Sequence, residues 1–174
     1  MNNLVTRETA PDDVAQVLAL YPQAFPEEEL RPVVSGLLES GANVLSLAGF
    51  DGDALVAHVL FTICGSEQQE QTGALLGPLA VVPSHQRKGL GNAIVCTGLE
   101  RLEEMGIRQV FVLGDPAYYG RFGFVPERQV LAPYPIPEEW AEAWQSVPLA
   151  ARAPLAPGRL LLPKPWMDPV LWGP

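Results

Sequence analysis

Seven residues, Gln86-Arg-Lys-Gly-Leu-Gly-Asn92, combine the features from which a phosphate cradle is built. They follow an apolar run of strand type, Leu75 to Val82, closed by Pro83. They precede a stretch in which Ile94, Val95, Leu99, Leu102 and Met105 share one side while Glu100, Arg101, Glu103 and Glu104 lie elsewhere. That stretch has the 3.6-residue period of a half-buried helix, and Gly106 stands where helices commonly stop. A helix that starts from a glycine-rich turn leaves its first N–H groups without partners, and its dipole adds partial positive charge there. Phosphates bind such a place, and Arg87 and Lys88 bring full charges to it. The spacing excludes two common phosphate loops. No Gly-x-x-x-x-Gly-Lys-Ser/Thr run exists. Gly89-x-Gly91 is followed by Ile94 where a dinucleotide fingerprint has its third glycine, and no acidic residue stands at the usual place on a second strand.

Several elements must position this turn. Leu4 to Glu8 reads as a strand, and Thr9-Ala-Pro-Asp-Asp13 as the start of a helix with Val14, Val17, Leu18 and Tyr21 on its buried face. Pro22 and Pro26 bracket a break, and a second helix is predicted from Glu27 to Glu39, or from near Arg31 because of Pro32. Asn43 to Phe50 and Ala54 to Cys64 are strands around the hairpin signal Asp51-Gly-Asp53. Gly65 to Thr72 reads as a polar loop returning the chain into the strand Ala74 to Val82, which completes an antiparallel meander. After the helix, Gln109 to Asp115 is an apolar strand, and strand–helix–strand passages usually give a parallel pair with a right-handed crossover. If something is to enter between those two strands, their ends must diverge.

Two runs carry a family resemblance. Gln86-Arg-Lys-Gly89-Leu-Gly91, preceded by Leu79-Ala-Val-Val-Pro83, resembles the Gln/Arg-x-x-Gly-x-Gly pyrophosphate loop of the GNAT superfamily of acyl-CoA-dependent N-acetyltransferases. Tyr119, Gly123 and Phe124 match the superfamily's Tyr-x-x-x-Gly-Phe. The longer run Leu113-Gly-Asp-Pro-Ala-Tyr-Tyr-Gly-Arg-Phe-Gly-Phe124 is similar to its YhbS-like bacterial branch of predicted N-acetyltransferases. The resemblance is clear from Leu75 to Pro126 and weaker from Leu4 to Cys64. It implies a mixed α/β domain, an antiparallel meander leading into a central parallel pair with a V-shaped splay and helices on both faces. It also implies acetyl-CoA as co-substrate, no metal, and a small-molecule or peptide amine as acceptor, with a homodimer left open.

By the same resemblance, the turn from Gln86 through Arg87, Lys88, Gly89, Leu90 and Gly91 to Asn92 holds the pyrophosphate. Leu79, Ala80 and Val81 offer backbone groups to pantetheine and to the thioester carbonyl, with Pro78 marking interrupted pairing. Acetyl transfer needs a donor for the tetrahedral oxyanion, which a strand N–H supplies, and a proton for the departing thiolate. Tyr119 matches the family's general acid, and a phenol near pKa 10 is protonated when a thiol of about 8.5 leaves. The alternative for Tyr119 is a core aromatic with a bonded hydroxyl. Transfer would be direct, because no Cys or Ser sits in a recognisable nucleophile setting. The base stays open among His58, Asp115, Glu8 and water, and His85 reads as a turn residue. Rival readings are a non-catalytic acyl-CoA-binding or sensing module and a nucleotide-binding enzyme using Gly89 and Gly91.

At 174 residues the chain suits one domain spanning 1–174 with a sizeable core. Its net charge of −9 argues against general nucleic-acid binding and suits a cationic amine, or mere solubility. Cys64 and Cys96 make neither a metal site nor a disulfide framework, which points to a reducing, cytoplasmic setting. Met1-Asn-Asn-Leu-Val lacks a signal-peptide pattern, and no apolar run reaches the ~20 residues of a membrane span. Residues 126–174 are Pro-rich and hold Trp140, Trp144, Trp166 and Trp172. They are expected to pack back on the domain, either walling the acceptor site or only covering core. Pro137 to Trp144 reads as a short helix and Gly158 to Pro163 as an edge strand.

Overall fold

The structure, a computed structural model, describes residues 4–67 and 69–173. Its strands are β1 (Leu4–Glu8), β2 (Val44–Asp51), β3 (Ala54–Ser66), β4 (Gln69–Val81), β5 (Gln109–Leu113), β6 (Val125–Pro126), β7 (Val130–Leu131), β8 (Trp144–Pro148) and β9 (Gly158–Leu161). Its α-helices are α1 (Val14–Ala24), α2 (Arg31–Glu39), α3 (Leu90–Glu104) and the single turn α4 (Pro116–Tyr119). Hydrogen bonding orders the strands β1-β2-β3-β4-β5-β8-β6, with β9 pairing β3 and β7. The chain groups into two compact units. One takes the chain up to Phe61 and again Gly77–Leu99; the other takes Thr62–Leu76 and the chain from Glu100 on.

In the first unit β1 pairs antiparallel with β2, from Leu4↔Asp51 to Glu8↔Leu47. Strands β2 and β3 are buried over nearly their whole length, with Leu47, Ala48, Ala57, Val59 and Leu60 fully inaccessible. Helix α1 buries Val17, Leu20 and Tyr21, and α2 buries Val33, Val34 and Leu37. The expected α1 face shifts by part of a turn: Leu20 is inside, while Val14 and Leu18 are half-buried. Pro22 does not break α1. The helix runs on to Ala24, and the Phe25 N–H bonds Tyr21 O at 2.8 Å. So near the helix end, proline's missing N–H removes one bond and no downstream turns are lost with it. Helix α2 starts at Arg31, which puts Pro32 in the first turn, where a proline is harmless.

In the second unit β4 and β5 are parallel, with Gly73↔Gln109, Ala74↔Val110 and Leu75↔Phe111. Strand β4 itself continues to Val81. On its other side β5 takes an antiparallel partner that the sequence reading lacked. Strand β8 runs from Gln109↔Pro148 to Leu113↔Trp144. The polar stretch expected as a loop at Gly65 to Thr72 is mostly strand, since β3 reaches Ser66 and β4 begins at Gln69. Main-chain partners hold it: Arg108 N–H donates to Thr72 O (2.7 Å) and Glu67 N–H to Arg159 O (3.1 Å). Strand β9 is not an edge, for it pairs Gly65↔Leu161 with β3 and Val130↔Gly158 with β7.

Three of the four tryptophans are core in this unit. Trp144 stacks on Phe111 at 5.7 Å, and Trp172 meets both Trp144 and Trp166 at 5.9 Å. Each indole N–H finds an acceptor: Val130 O, Thr62 Oγ1 and Trp166 O respectively for Trp144, Trp166 and Trp172. Trp140 lies outside that cluster at 36% exposure. Residues 138–143, expected as a helix, form a 3-10 turn that ends as β8 begins. Gln109, buried, gathers the later chain: its side-chain N–H groups donate to Glu127 and Ser146, and its oxygen accepts from Leu155 N–H at 2.8 Å.

Candidate functional site

The turn is built by β4 ending and α3 beginning. Val82 N–H bonds Val56 O (2.9 Å) and so closes β4 against β3. A 3-10 turn at Pro83–His85 follows, and the backbone then passes through two left-handed residues, Arg87 at φ 61° and Gly89 at φ 80°. Glycine takes that conformation freely, whereas a residue with a Cβ, as at Arg87, is strained there. The Gln86 side chain, exposed on one side, donates from Nε2 to Val81 O at 3.0 Å and ties the turn to the strand that feeds it. The Ala93 N–H of α3 bonds Gly89 O at 3.0 Å. The amides of Leu90 and Gly91 precede that ladder and are the positive end of a fifteen-residue helix. Gln86, Arg87, Lys88 and Gly89 are exposed, Gly91 and Asn92 half-buried, and Leu90 anchors the turn in the core. The helix closes in a Schellman motif, with Gly106 N–H to Glu103 O (3.1 Å) and Ile107 N–H to Leu102 O (3.0 Å). Ile107, not the expected Met105, therefore takes the last inward place; Met105 is 51% exposed.

Leu79, Ala80 and Val81 form the last turn of strand before this loop. Ala80 points into the core, and Leu79 and Val81 are half-buried. At Pro78 the chain has a cis Gly77–Pro78 peptide, with Gly77 at φ 142°.

Tyr119 belongs to the second unit. Asp115 caps α4, its carboxylate accepting from Ala117 N–H at 2.9 Å, and the chain leaves through Gly123 at φ 92°. The Tyr119 ring is edge-on to Tyr118 (4.9 Å) and Phe124 (5.8 Å). It lies against Gly114, where a methyl group would come within 2.5 Å of its Cε2 atom. Burial, and then the neighbouring Tyr118, raise the Tyr119 pKa, so the phenol keeps its proton at neutral pH.

The base candidates separate. His58 is fully buried, and both ring nitrogens are taken: Nδ1 lies 2.7 Å from the Tyr21 hydroxyl and Nε2 2.8 Å from Ser46 Oγ. Burial lowers its pKa to about 3. Asp115 is occupied as a cap, and Glu8 is exposed on β1. His85 pairs with Asp51 of the β2–β3 hairpin at 2.9 Å. The sequence reading missed the partners of His58. The signal was present: Ser46 is a lone polar residue between Leu45 and Leu47, and Tyr21 ends an otherwise aliphatic stripe. Among the described residues no group of three metal-ligating side chains occurs, and no helix is long and apolar enough to cross a membrane.

Comparison with known proteins bears on this arrangement. The family profile described as Acetyltransferase (GNAT) family matches residues 13–124. The N-acetyltransferase YjhQ of Escherichia coli (strain K12) is 38% identical over 83% of this chain and 83% of its own. The crystal structure of the GNAT-family N-acetyltransferase YhbS from Escherichia coli in complex with CoA superposes with a TM-score of 0.88 at 26% identity, covering 97% of this chain and 94% of that one. A GNAT-family acetyltransferase from Brucella melitensis in complex with acetyl-CoA shares the fold, with a TM-score of 0.77 at 23% identity over 95% and 99% of the two chains.

Proposed function

This chain belongs to the GNAT family of acetyltransferases and is an acyltransferase, and we propose that it moves the acetyl group of acetyl-CoA directly to a primary amine, as one catalytic domain spanning 1–174. The observation that carries the proposal is the turn: left-handed Arg87 and Gly89 deliver the chain into α3 with the Leu90 and Gly91 amides ahead of the helical ladder. This is the geometry of a pyrophosphate seat, and Arg87 and Lys88 add charge beside it. Asn92 completes it. The CoA complex of YhbS supports the choice of ligand.

In this reading Leu79, Ala80 and Val81 bind pantetheine, and an N–H of that stretch bonds the thioester oxygen more strongly as it becomes an oxyanion. The neutral amine attacks the carbonyl carbon, the C–S bond breaks as the Tyr119 phenol gives its proton to the sulfur, and the proton shed by the new amide nitrogen returns through water to the Tyr119 oxygen. The raised pKa of Tyr119 keeps that proton available. Acceptors are small-molecule or peptide amines, and the net charge of −9 favours cationic ones.

The test is free-thiol release from acetyl-CoA with spermidine, tyramine, lysine, kanamycin and an alanyl peptide. Turnover with at least one amine, lost when Gly89 and Gly91 both become valine, is expected. Tight acetyl-CoA binding with no transfer to any amine would instead mark a binding module. A melting temperature raised by NAD and not by CoA would mark a nucleotide enzyme.

A further inference from the structure

The first unit holds a continuous file of polar groups through its core. Thr9 Oγ1 donates to Ser46 Oγ at 2.7 Å, and Ser46 Oγ is 2.8 Å from His58 Nε2. His58 Nδ1 is 2.7 Å from the Tyr21 hydroxyl, which makes a long 3.5 Å donation to Pro78 O. Ser46, His58 and Tyr21 are 8%, 0% and 1% exposed. Their surroundings are aliphatic, with Val17, Leu45, Leu47 and Val59 buried on the same elements. A core needs none of these groups, and each costs desolvation unless bonded. The outer end is open: Thr9 and Ser46 line a cleft of about 630 Å³ that is rimmed by Glu8 and Glu39. The inner end is Pro78 O, one residue before Leu79.

We propose that Thr9, Ser46, His58 and Tyr21 form a proton path that carries the acceptor's ammonium proton from the Pro78 end of β4 to the water of this cleft. The inference rests on the acetyl-transfer reading above and supplies the base that it lacks. An alkylammonium near pKa 10.4 must lose a proton before its nitrogen can attack. In the path, that proton passes to the Tyr21 oxygen, directly or through one water on Pro78 O. The Tyr21 proton moves to His58 Nδ1, the His58 Nε2 proton to Ser46 Oγ, the Ser46 proton to Thr9 Oγ1, and the Thr9 proton to water. The Tyr21, Ser46 and Thr9 oxygens each end with as many protons as they began with, His58 has exchanged its Nε2 proton for one on Nδ1, and the proton that the acceptor nitrogen lost has reached water. Afterwards Thr9 donates to Ser46, Ser46 to His58, and His58 to Tyr21. That is the orientation implied by the donations of Thr9 and Tyr21 in the structure. Hydroxyl rotation and exchange of the imidazole tautomer reset the file. Burial disfavours the charged forms of both His58 and Tyr21, which suits concerted hand-over and leaves no charge stored on the way.

The experiment compares pH profiles of kcat/KM for the wild type, Tyr21→Phe, Ser46→Ala and Thr9→Val, with the panel amine that gives the highest turnover and with its fluorinated, weakly basic analogue. Thr9→Val is the safe variant, since Thr9 is only half-buried. With the parent amine each variant is expected to lose about a hundredfold at pH 7, the scale of a general base, and to recover tenfold per pH unit as free amine accumulates. With the weakly basic analogue, already neutral, the variants should match the wild type. Ser46→Thr and Thr9→Ser, which keep the hydroxyl, should restore the parent profile. Equal losses with both amines at every pH would show a structural role and overturn the proposal, as would unchanged profiles. No wild-type turnover with any amine would refute the acetyl-transfer reading itself, and this inference would fall with it.

Discussion

Tyr119 and Gly114 give a direct test of the proton donor. An added methyl at Gly114 would stand 2.5 Å from Tyr119 Cε2 and 2.9 Å from Cδ2. Ordinary contact begins near 3.4 Å, so in Gly114→Ala the ring must retreat by about 1 Å, a displacement that can cost on the order of a hundredfold in a positioned reaction. Overpacking adds about 1–3 kcal/mol of destabilisation, read separately in the urea midpoint. The assay is kcat by thiol release, with the acetyl-CoA Kd by calorimetry as control. Gly114→Ala and Tyr119→Phe should each lower kcat about a hundredfold or more while Kd stays within about twofold. Because both changes act on one hydroxyl, the double variant should fall no further than the worse single one. Wild-type kcat in Gly114→Ala, at a ring that has demonstrably moved, would remove Tyr119 from the reaction. Additive losses would show that Gly114 acts through something else.

Gly89→Val forces a β-branched residue to φ 80° with free space around it. Backbone strain of about 1–2 kcal/mol should then distort the turn and weaken acetyl-CoA binding roughly tenfold in calorimetry, with kcat at saturation little changed. His58 makes stability pH-dependent. The folded chain keeps it neutral down to about 3 while an unfolded histidine takes a proton below 6.5. Between those values the unfolded state binds the extra proton, so stability falls with falling pH by about 1.4 kcal/mol per unit. Urea midpoints at pH 7 and 5 measure the slope, which should be shallower in His58→Gln. Trp172→Ala empties a site that touches Trp144 and Trp166 and should cost about 3–5 kcal/mol in urea unfolding. Loss of less than about 1 kcal/mol would mean that the C-terminal segment is not part of the core.

What the sequence made legible was local. The turn at Gln86–Asn92, the start of α2 at Arg31, one of the two starts read from the sequence, and the short helix closed by Gly123 each depend on residues a few positions apart. What stayed hidden depends on partners far along the chain. The polar run before Thr72 looks like a loop until Arg108 and Arg159 supply its main-chain bonds. Strand β8 is five residues with one aliphatic side chain, and only its pairing with β5 makes it a strand. Polar residues inside strands, Ser46 and Gln109, read as exceptions in sequence because their meaning is a hydrogen bond to Thr9 or to Glu127. The role of His58 was open for the same reason: its two partners lie 12 and 37 positions away.

The pairing of β5 with β8 also sets a timetable. A ribosome finishes β5 about thirty residues before it reaches the start of β8, a gap of a few seconds at typical elongation rates of roughly 5–20 residues per second. Throughout that interval one side of β5 carries unsatisfied main-chain groups beside Phe111, which waits for the indole of Trp144. The nascent chain is therefore stickiest while β5 is out and β8 has yet to reach it.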